Sequence, residues 1–238
     1  MREIRNIVIL TGAGISQESG LETFRTVGQK TLWGSVQNSF AVEDVCTPEA
    51  LERNAALVHR FYDERRAKLV EVEPNAAHEA LAAFDAEWPG ELLIVTQNVD
   101  DLHERAGAQR LVHMHGELLS ALCAACGKAM RWTHSLPPGS ICDGCSSRAL
   151  RPDIVFFGEM PYQMDLIDDA LRQADLFVSV GTSGAVYPAA GFVQTARHVG
   201  ARTLELNLEP SAGSFYFEES RMGAASVLVP ALVRELLA

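Results

Sequence analysis

Four cysteines stand as two C-x2-C pairs, Cys123 with Cys126 and Cys142 with Cys145, fifteen residues apart. That spacing falls in the zinc-ribbon pattern. Each pair brings two sulfurs to one ion from a tight turn, which Gly127 and Gly144 relax. Four thiolates complete a tetrahedron with no position left for water, so the expected metal is one structural Zn2+ and not a catalytic ion. Two disulfides, or four unrelated thiols, satisfy the count alone. A nucleic-acid-reading ribbon would rest on Lys128, Arg131 and Arg148, thin support in a chain with this charge. The fifth cysteine, Cys46, reads as a small buried residue.

A second group can handle amides and protons. Gln97, Asn98 and Asp100 follow the apolar run "LLIV" in "TQNVDDL". Side-chain amides offer both donor and acceptor and suit a carboxamide of the nicotinamide type; an ionised Asp100 only accepts. An Asn/Asp turn after a strand is the plainer alternative. In "VHMHGEL", His113 and His115 are two apart and share a side if extended. A histidine titrates near neutral pH and can serve as a general base, although a packed or solvated ring fits either position.

"GAGISQESG" follows the apolar run "NIVIL", as a phosphate-binding turn should. The full G-x-G-x-x-G fingerprint would need glycine at Gln17, so the fragment is equally a tight turn. Gly181, Thr182 and Ser183 end another apolar run with backbone donors and hydroxyls. Asn207 and Glu209 end a third, where an amide or carboxylate can hold a ribose hydroxyl. Three such strand ends suggest a dinucleotide. In "HRFYDERRAKL", Tyr62 and Arg65 lie three apart and share a helical face. A packed tyrosine beside a solvated arginine also fits that pattern.

These residues need a frame. "NIVIL", "LLIV", "LFVSV" and "TLELNL" are short apolar runs of the kind buried on both faces of a parallel sheet. Helical patterns lie between them: "AAHEALAAFDAEW", "MDLIDDALRQA" and "AAGFVQTARHV". The alternation predicts an α/β fold with an open parallel sheet, whose ligands bind beyond the carboxyl ends of the strands. Thr47-Pro48-Glu49 predicts a helix start with Thr47 as N-cap, leading into a long helix through about Val72. The chain has 238 residues, 47% of them apolar, enough for one large domain or a domain with a small insert. Its net charge of −11 argues against a nucleic-acid or anionic-membrane binder and suits cationic substrates such as lysine-rich tails. No run approaches the ~18 apolar residues of a membrane span, and the short "IVIL" does not make a signal core. A cytoplasmic location is the expectation, and there cysteines bind metal more readily than they pair.

Taken together, "GAGIS", "SGLETFR", "TQNVD", His115-Gly116, the two C-x2-C pairs, "FGE" at Phe157–Glu159, "GTS" and "NLE" resemble the sirtuins, NAD-dependent protein lysine deacylases, over essentially the whole chain. In "ETFR", Thr23 replaces the aspartate that many members carry. The resemblance implies a Rossmann-like domain from residues 1–34, 77–116 and 151–238, a helical insert at 35–76 and a zinc-ribbon insert at 117–150. It implies NAD contacts from Gly12, Ala13, Gly14, Ile15, Phe24, Arg25, Gln97, Asn98, Asp100, Gly181, Thr182, Ser183, Asn207, Leu208, Glu209 and Ala225. Asn98, Asp100 and His115 would be catalytic. An acylated lysine on an extended protein segment would pair with Phe157, Gly158, Glu159 and Val186. NAD would be consumed: the acyl oxygen attacks the ribose carbon, nicotinamide leaves, and His115 activates a ribose hydroxyl. Tyr62 and Arg65 resemble the branch that removes succinyl and malonyl groups as well as acetyl. An ADP-ribosyltransferase on the same scaffold and a non-catalytic, zinc-containing NAD sensor are the competing functions.

Overall fold

The computed structural model describes residues 3–21, 24–27, 30–34 and 39–238, with side chains described for 3–21 and 40–238. The strands are β1 (Asn6–Thr11), β2 (Phe24–Val27), β3 (Lys30–Gly34), β4 (Ser39–Ala41), β5 (Glu91–Thr96), β6 (Leu111–His113), β7 (Gly116–Cys123), β8 (Ala129–Arg131), β9 (Leu150–Ile154), β10 (Leu176–Val180), β11 (Arg202–Asn207) and β12 (Glu219–Met222). The α-helices are α1 (Ala13–Gln17), α2 (Val42–Val45), α3 (Pro48–Arg53), α4 (Ala55–Lys68), α5 (Ala76–Glu87), α6 (Leu102–Ala106), α7 (Met164–Gln173), α8 (Phe192–His198) and α9 (Ala225–Leu237).

The main sheet runs β12-β11-β10-β1-β5-β6, and every neighbouring pair is parallel. This is the expected Rossmann-like α/β fold. All four apolar runs became strands, and β10 is buried along its whole length because helices cover both faces. One face packs Ile7, Ile9 and Ile94 against Leu81 and Phe84 of α5 and Val229 and Leu232 of α9. The other packs Val8, Leu10 and Val95 against Ile167 and Leu171 of α7 and Phe192 and Val193 of α8. The chain leaves β1 for β5 on one side and later fills β10, β11 and β12 on the other. The strand order therefore reverses between β1 and β10, where such sheets open a crevice.

A smaller antiparallel sheet, β8-β7-β9, carries the cysteine segment. The helical segment packs on it: Val58, Phe61 and Tyr62 of α4 share a core with Leu118, Ile154 and Phe156. Polar contacts tie the same surfaces. Arg66 Nε donates to the Leu118 carbonyl at 2.6 Å, and Asp63 accepts from the Leu136 N–H at 3.0 Å. Arg66 is buried and pairs with Asp63.

The expected long helix from Thr47 is interrupted. Thr47 does cap α3, accepting from Ala50 N at 3.1 Å, but α3 stops at Asn54. There φ −152° and ψ 70° leave the helical region. Asn54 then caps α4, accepting from Leu57 N at 3.1 Å. A side chain that satisfies an orphan N–H from outside the helix makes such a break stable, by ~1 kcal/mol. The last turn, Leu69–Glu71, is a tighter 3-10 turn. No helix among the described residues is long and apolar enough to cross a membrane.

Candidate active site

The crevice at the switch point is a cavity of about 570 Å³, within the ordinary range for a small-molecule site. Glycine makes its floor. A Cβ on Gly14 would stand 2.7 Å from the Gly181 Cα, and one on Gly12 2.8 Å from the Gly181 oxygen. The turns after β1 and β10 thus touch backbone to backbone, which no side chain at these positions would permit. The contact is hydrogen-bonded by Gly14 N to Gly181 O at 2.9 Å.

Most of the residues expected in the site line this one cavity: Gly12, Ala13 and Gly14; Gln97, Asn98, Asp100 and His115; Gly181, Thr182 and Ser183; Asn207, Leu208, Glu209 and Ala225; Arg65, Phe157, Gly158, Glu159 and Val186. Asn207 bridges two of the turns, its amide donating to the Thr182 carbonyl at 2.8 Å. Two expected residues lie elsewhere. Ile15 is 0% exposed and belongs to the sheet core, because α1 turns that face inward. Tyr62 is also 0% exposed and lies outside the cavity lining; its hydroxyl donates to Cys46 Sγ at 3.2 Å. The structure therefore separates Tyr62 from Arg65, which it does place on the wall. The side chains of Phe24 and Arg25 lie outside the described residues.

The polar cluster is held from behind. Asn98 Nδ2 donates to Ser16 Oγ at 3.0 Å. His78 accepts from the Asn75 N–H at its Nδ1, so its proton sits on Nε2, which meets Ser16 Oγ at 3.3 Å. Ser16, receiving both, turns its own hydroxyl proton toward Asp100. Burial pushes Asp100 up to about 6 against the hydrogen bonds from Leu102 N and Ser16. Asp100 thus takes up its proton near pH 6, well above the usual carboxylate range.

The two histidines do not share a side. β6 ends at His113 and the chain turns before His115. His113 faces away from the cavity, contacting the Asn98 carbonyl through Nδ1 at 3.0 Å and Glu104 through Nε2 at 2.7 Å. His115 lines the cavity. Its Nδ1 lies 3.2 Å from the Gln97 carbonyl, which can only accept, so Nδ1 carries the proton and Nε2 is the free base. Burial lowers its pKa and keeps the ring neutral.

Sequence reasoning did not assign Ser16, Leu118, Phe156, Ser211 or Ala212 to the site, and it read Cys46 only as a small buried residue, which it is; all six also line the cavity. Ser16 lies within the quoted "GAGIS", and its spacing from the glycines was the available signal. Cys46 and Leu118 gave none, since only tertiary packing brings them to the wall.

The four cysteines converge. Cys123 and Cys145 sulfurs lie 3.7 Å apart and Cys126 and Cys142 sulfurs 3.8 Å apart, with all four within 4.8 Å of one another. A tetrahedron of sulfurs ~2.3 Å from one zinc has edges of ~3.8 Å. The donor set fits a closed structural zinc site.

Fold and site together define a dinucleotide-binding α/β protein with a separate thiolate metal centre. The chain belongs to the Sir2 family, whose model matches residues 12–188. It is 52% identical over 237 residues to an NAD-dependent protein deacylase of Vibrio parahaemolyticus, covering 98% of this chain and 96% of that one. Among solved structures it resembles a Sir2 homolog–NAD complex, with TM-score 0.87 and 33% identity over 98% of this chain and 90% of that one. It also resembles a Sir2–p53 peptide–NAD+ complex, with TM-score 0.79 and 28% identity over 98% of this chain and 94% of that one.

Proposed function

We propose that this chain is an NAD-dependent protein lysine deacylase that removes succinyl and malonyl groups as well as acetyl. The family and the relatives named deacylases support the reaction. The peptide-bound neighbour supports an acylated protein segment as partner, laid in extended form along Phe157, Gly158, Glu159 and Val186. NAD supplies the electrophilic ribose carbon. Gly12, Ala13 and Gly14 receive its phosphates, and Ser183, Asn207 and Glu209 its adenosine half. Gln97, Asn98 and Asp100 orient the nicotinamide carboxamide. Once the acyl oxygen has bonded to the ribose carbon and nicotinamide has left, His115 Nε2 would take the proton of a ribose hydroxyl as it attacks the imidate carbon, and water would release free lysine and O-acyl-ADP-ribose. The zinc ribbon at 117–150 and the helical insert at 35–76 form the small domain opposite the Rossmann-like one. Reduced thiolates at the metal centre suit the cytoplasm.

One observation carries the acyl preference: Arg65 stands on the wall of the same cavity as His115. Its guanidinium lies 3.4 Å over the Phe61 ring, and Nη1 donates to the Phe61 carbonyl at 3.1 Å. These contacts hold the planar guanidinium in place, and such a fork can grip a carboxylate with parallel N–H bonds. An acetyl group has no use for it. Mass spectrometry of NAD incubated with succinyl-, malonyl- and acetyl-lysine peptides should show free lysine and O-acyl-ADP-ribose for all three. Protein-bound ADP-ribose without lysine release would instead establish a transferase. Arg65→Met should cut desuccinylation ~10-fold or more, the worth of a charged hydrogen bond, and spare deacetylation. Equal loss of both activities would make Arg65 structural.

A further inference from the structure

We propose that Cys46 is a specificity-determining residue for the acyl group, its sulfur standing between the cavity and the Tyr62 hydroxyl and holding that hydroxyl away from an acyl carboxylate. The proposal rests on the reading of Arg65 as the carboxylate grip.

Cys46 closes α2, and its carbonyl accepts from Phe157 N at 2.9 Å, so it is pinned to the segment that would hold the substrate peptide. Cys46 lines the cavity, as do Arg65, Leu118 and Phe156. Tyr62, directly behind it, is clamped: its ring stacks on Phe156 with centroids 6.1 Å apart and meets Phe61 edge-on at 5.0 Å. A clamped ring leaves the phenol oxygen in place and only its proton free to change direction. In this structure the proton points at sulfur. Burial pushes the Cys46 thiol up to about 11, so the group is a neutral thiol, a weak acceptor and a poor nucleophile. A carboxylate is a far stronger acceptor. Two things therefore restrain the phenol from a succinyl tail: the sulfur occupies the intervening space, and it engages the donor.

Two substitutions separate these effects from simple volume. Cys46→Ala removes both the atom and the acceptor, so the cavity reaches the phenol. Cys46→Ser is smaller than cysteine but keeps a polar atom there, and its hydroxyl is the better partner for Tyr62. The measurement is kcat/KM on peptides bearing succinyl-lysine, butyryl-lysine and acetyl-lysine, butyryl being the same length as succinyl without the carboxylate. Cys46→Ala should raise the succinyl-to-butyryl ratio ~3-fold or more, the scale of one ordinary hydrogen bond, and Cys46→Ser should not raise it. Adding Tyr62→Phe to Cys46→Ala should cancel the gain. An unchanged ratio in Cys46→Ala, an equal rise in Cys46→Ser, or a gain that survives Tyr62→Phe would overturn the role given to Cys46. Arg65→Met, run beside them, tests the underlying reading separately. If it lowers all acyl activities alike, the carboxylate reading fails; if it lowers succinyl alone while the Cys46 ratios stay flat, only the cysteine's role fails.

Discussion

His115 donates its Nδ1 proton to the Gln97 carbonyl, which leaves Nε2 as the proton acceptor inside the cavity. His115→Ala should keep NAD binding by calorimetry and lose turnover by ~10²–10⁴-fold, the usual contribution of a general base. His113→Ala should be much milder, because that ring faces Glu104 and the Asn98 carbonyl. The pH profile adds a sign. A base works unprotonated, so activity falls as pH falls through the His115 pKa, and burial has lowered that pKa. The acid limb assigned to His115 should thus lie below the ordinary imidazole value of ~6.5; a limb above it would exclude His115 as the group responsible. At this scale the sequence was legible where residue type alone is decisive. Gly12 and Gly14 are needed for backbone contact, and an amide–amide–carboxylate run beyond an apolar strand has little packing use. It was not legible where orientation decides. Ile15 and Tyr62 sit in the right segments, but tertiary packing turned both side chains into the core.

The cysteine segment is held by little apolar surface. Its own core is Ala121, Cys123, Leu136, Cys142 and Leu150, two of them metal ligands by proposal. So small a cluster cannot carry a three-stranded sheet without a further constraint, and zinc supplies that constraint as folding free energy. Elemental analysis should give one zinc per chain. Cys142→Ala, or a strong chelator, should destabilise or aggregate the protein, with loss of structure preceding loss of activity. Because α4 rests on β7 and β9 through Leu118, Ile154 and Phe156, the damage should spread to the acyl end of the cavity. Pure, active protein without zinc would refute this. Elements themselves were readable by length and pattern. The four apolar runs became the four central strands, whereas β6 and β12 carry only weak apolar patterns and gained their pairing from the neighbours already in place. The break at Asn54 was hidden for a related reason: apolar spacing continues across it, and only the capping geometry reveals it.

Across the whole molecule, folding sequesters two histidines that composition counts as ordinary. His78 of α5 and His103 of α6 meet edge to face at 5.0 Å beneath the polar loop, and both are essentially unexposed. Burial pushes His78 down to about 4 and His103 down to about 3. Between those values and the ordinary ~6.5 of an unfolded histidine, the unfolded chain binds two protons that the folded chain refuses, so stability falls with pH there. Asp100 acts in the opposite sense. Its folded pKa of about 6 lies above the unfolded carboxylate, so from pH ~6 to ~4 the folded chain binds one proton more. His59 and His115, also lowered by burial, act in the same sense as the His78–His103 pair, so the unfolded state stays ahead by about one proton or more, a slope of ~1.4 kcal/mol per pH unit or more. His113, raised by Glu104, opposes this loss near pH ~6.5, where the unfolded ring is still half titrated, and adds little at lower pH. Urea denaturation should therefore show clear loss of stability from pH 6.5 to 5. His103→Gln removes one of the refused protons while keeping a hydrogen-bonding partner for Thr11, which lies 3.0 Å from His103 Nε2. With one refused proton fewer, its stability should fall less between pH 6.5 and 5 than that of the wild type, although it is lower at pH 7. The zinc site is common to both proteins, so metal loss in acid affects them alike. A wild-type protein equally stable at pH 6.5 and 5, or a variant as acid-labile as the wild type, would show that this pair is not what sets the molecule's acid limit.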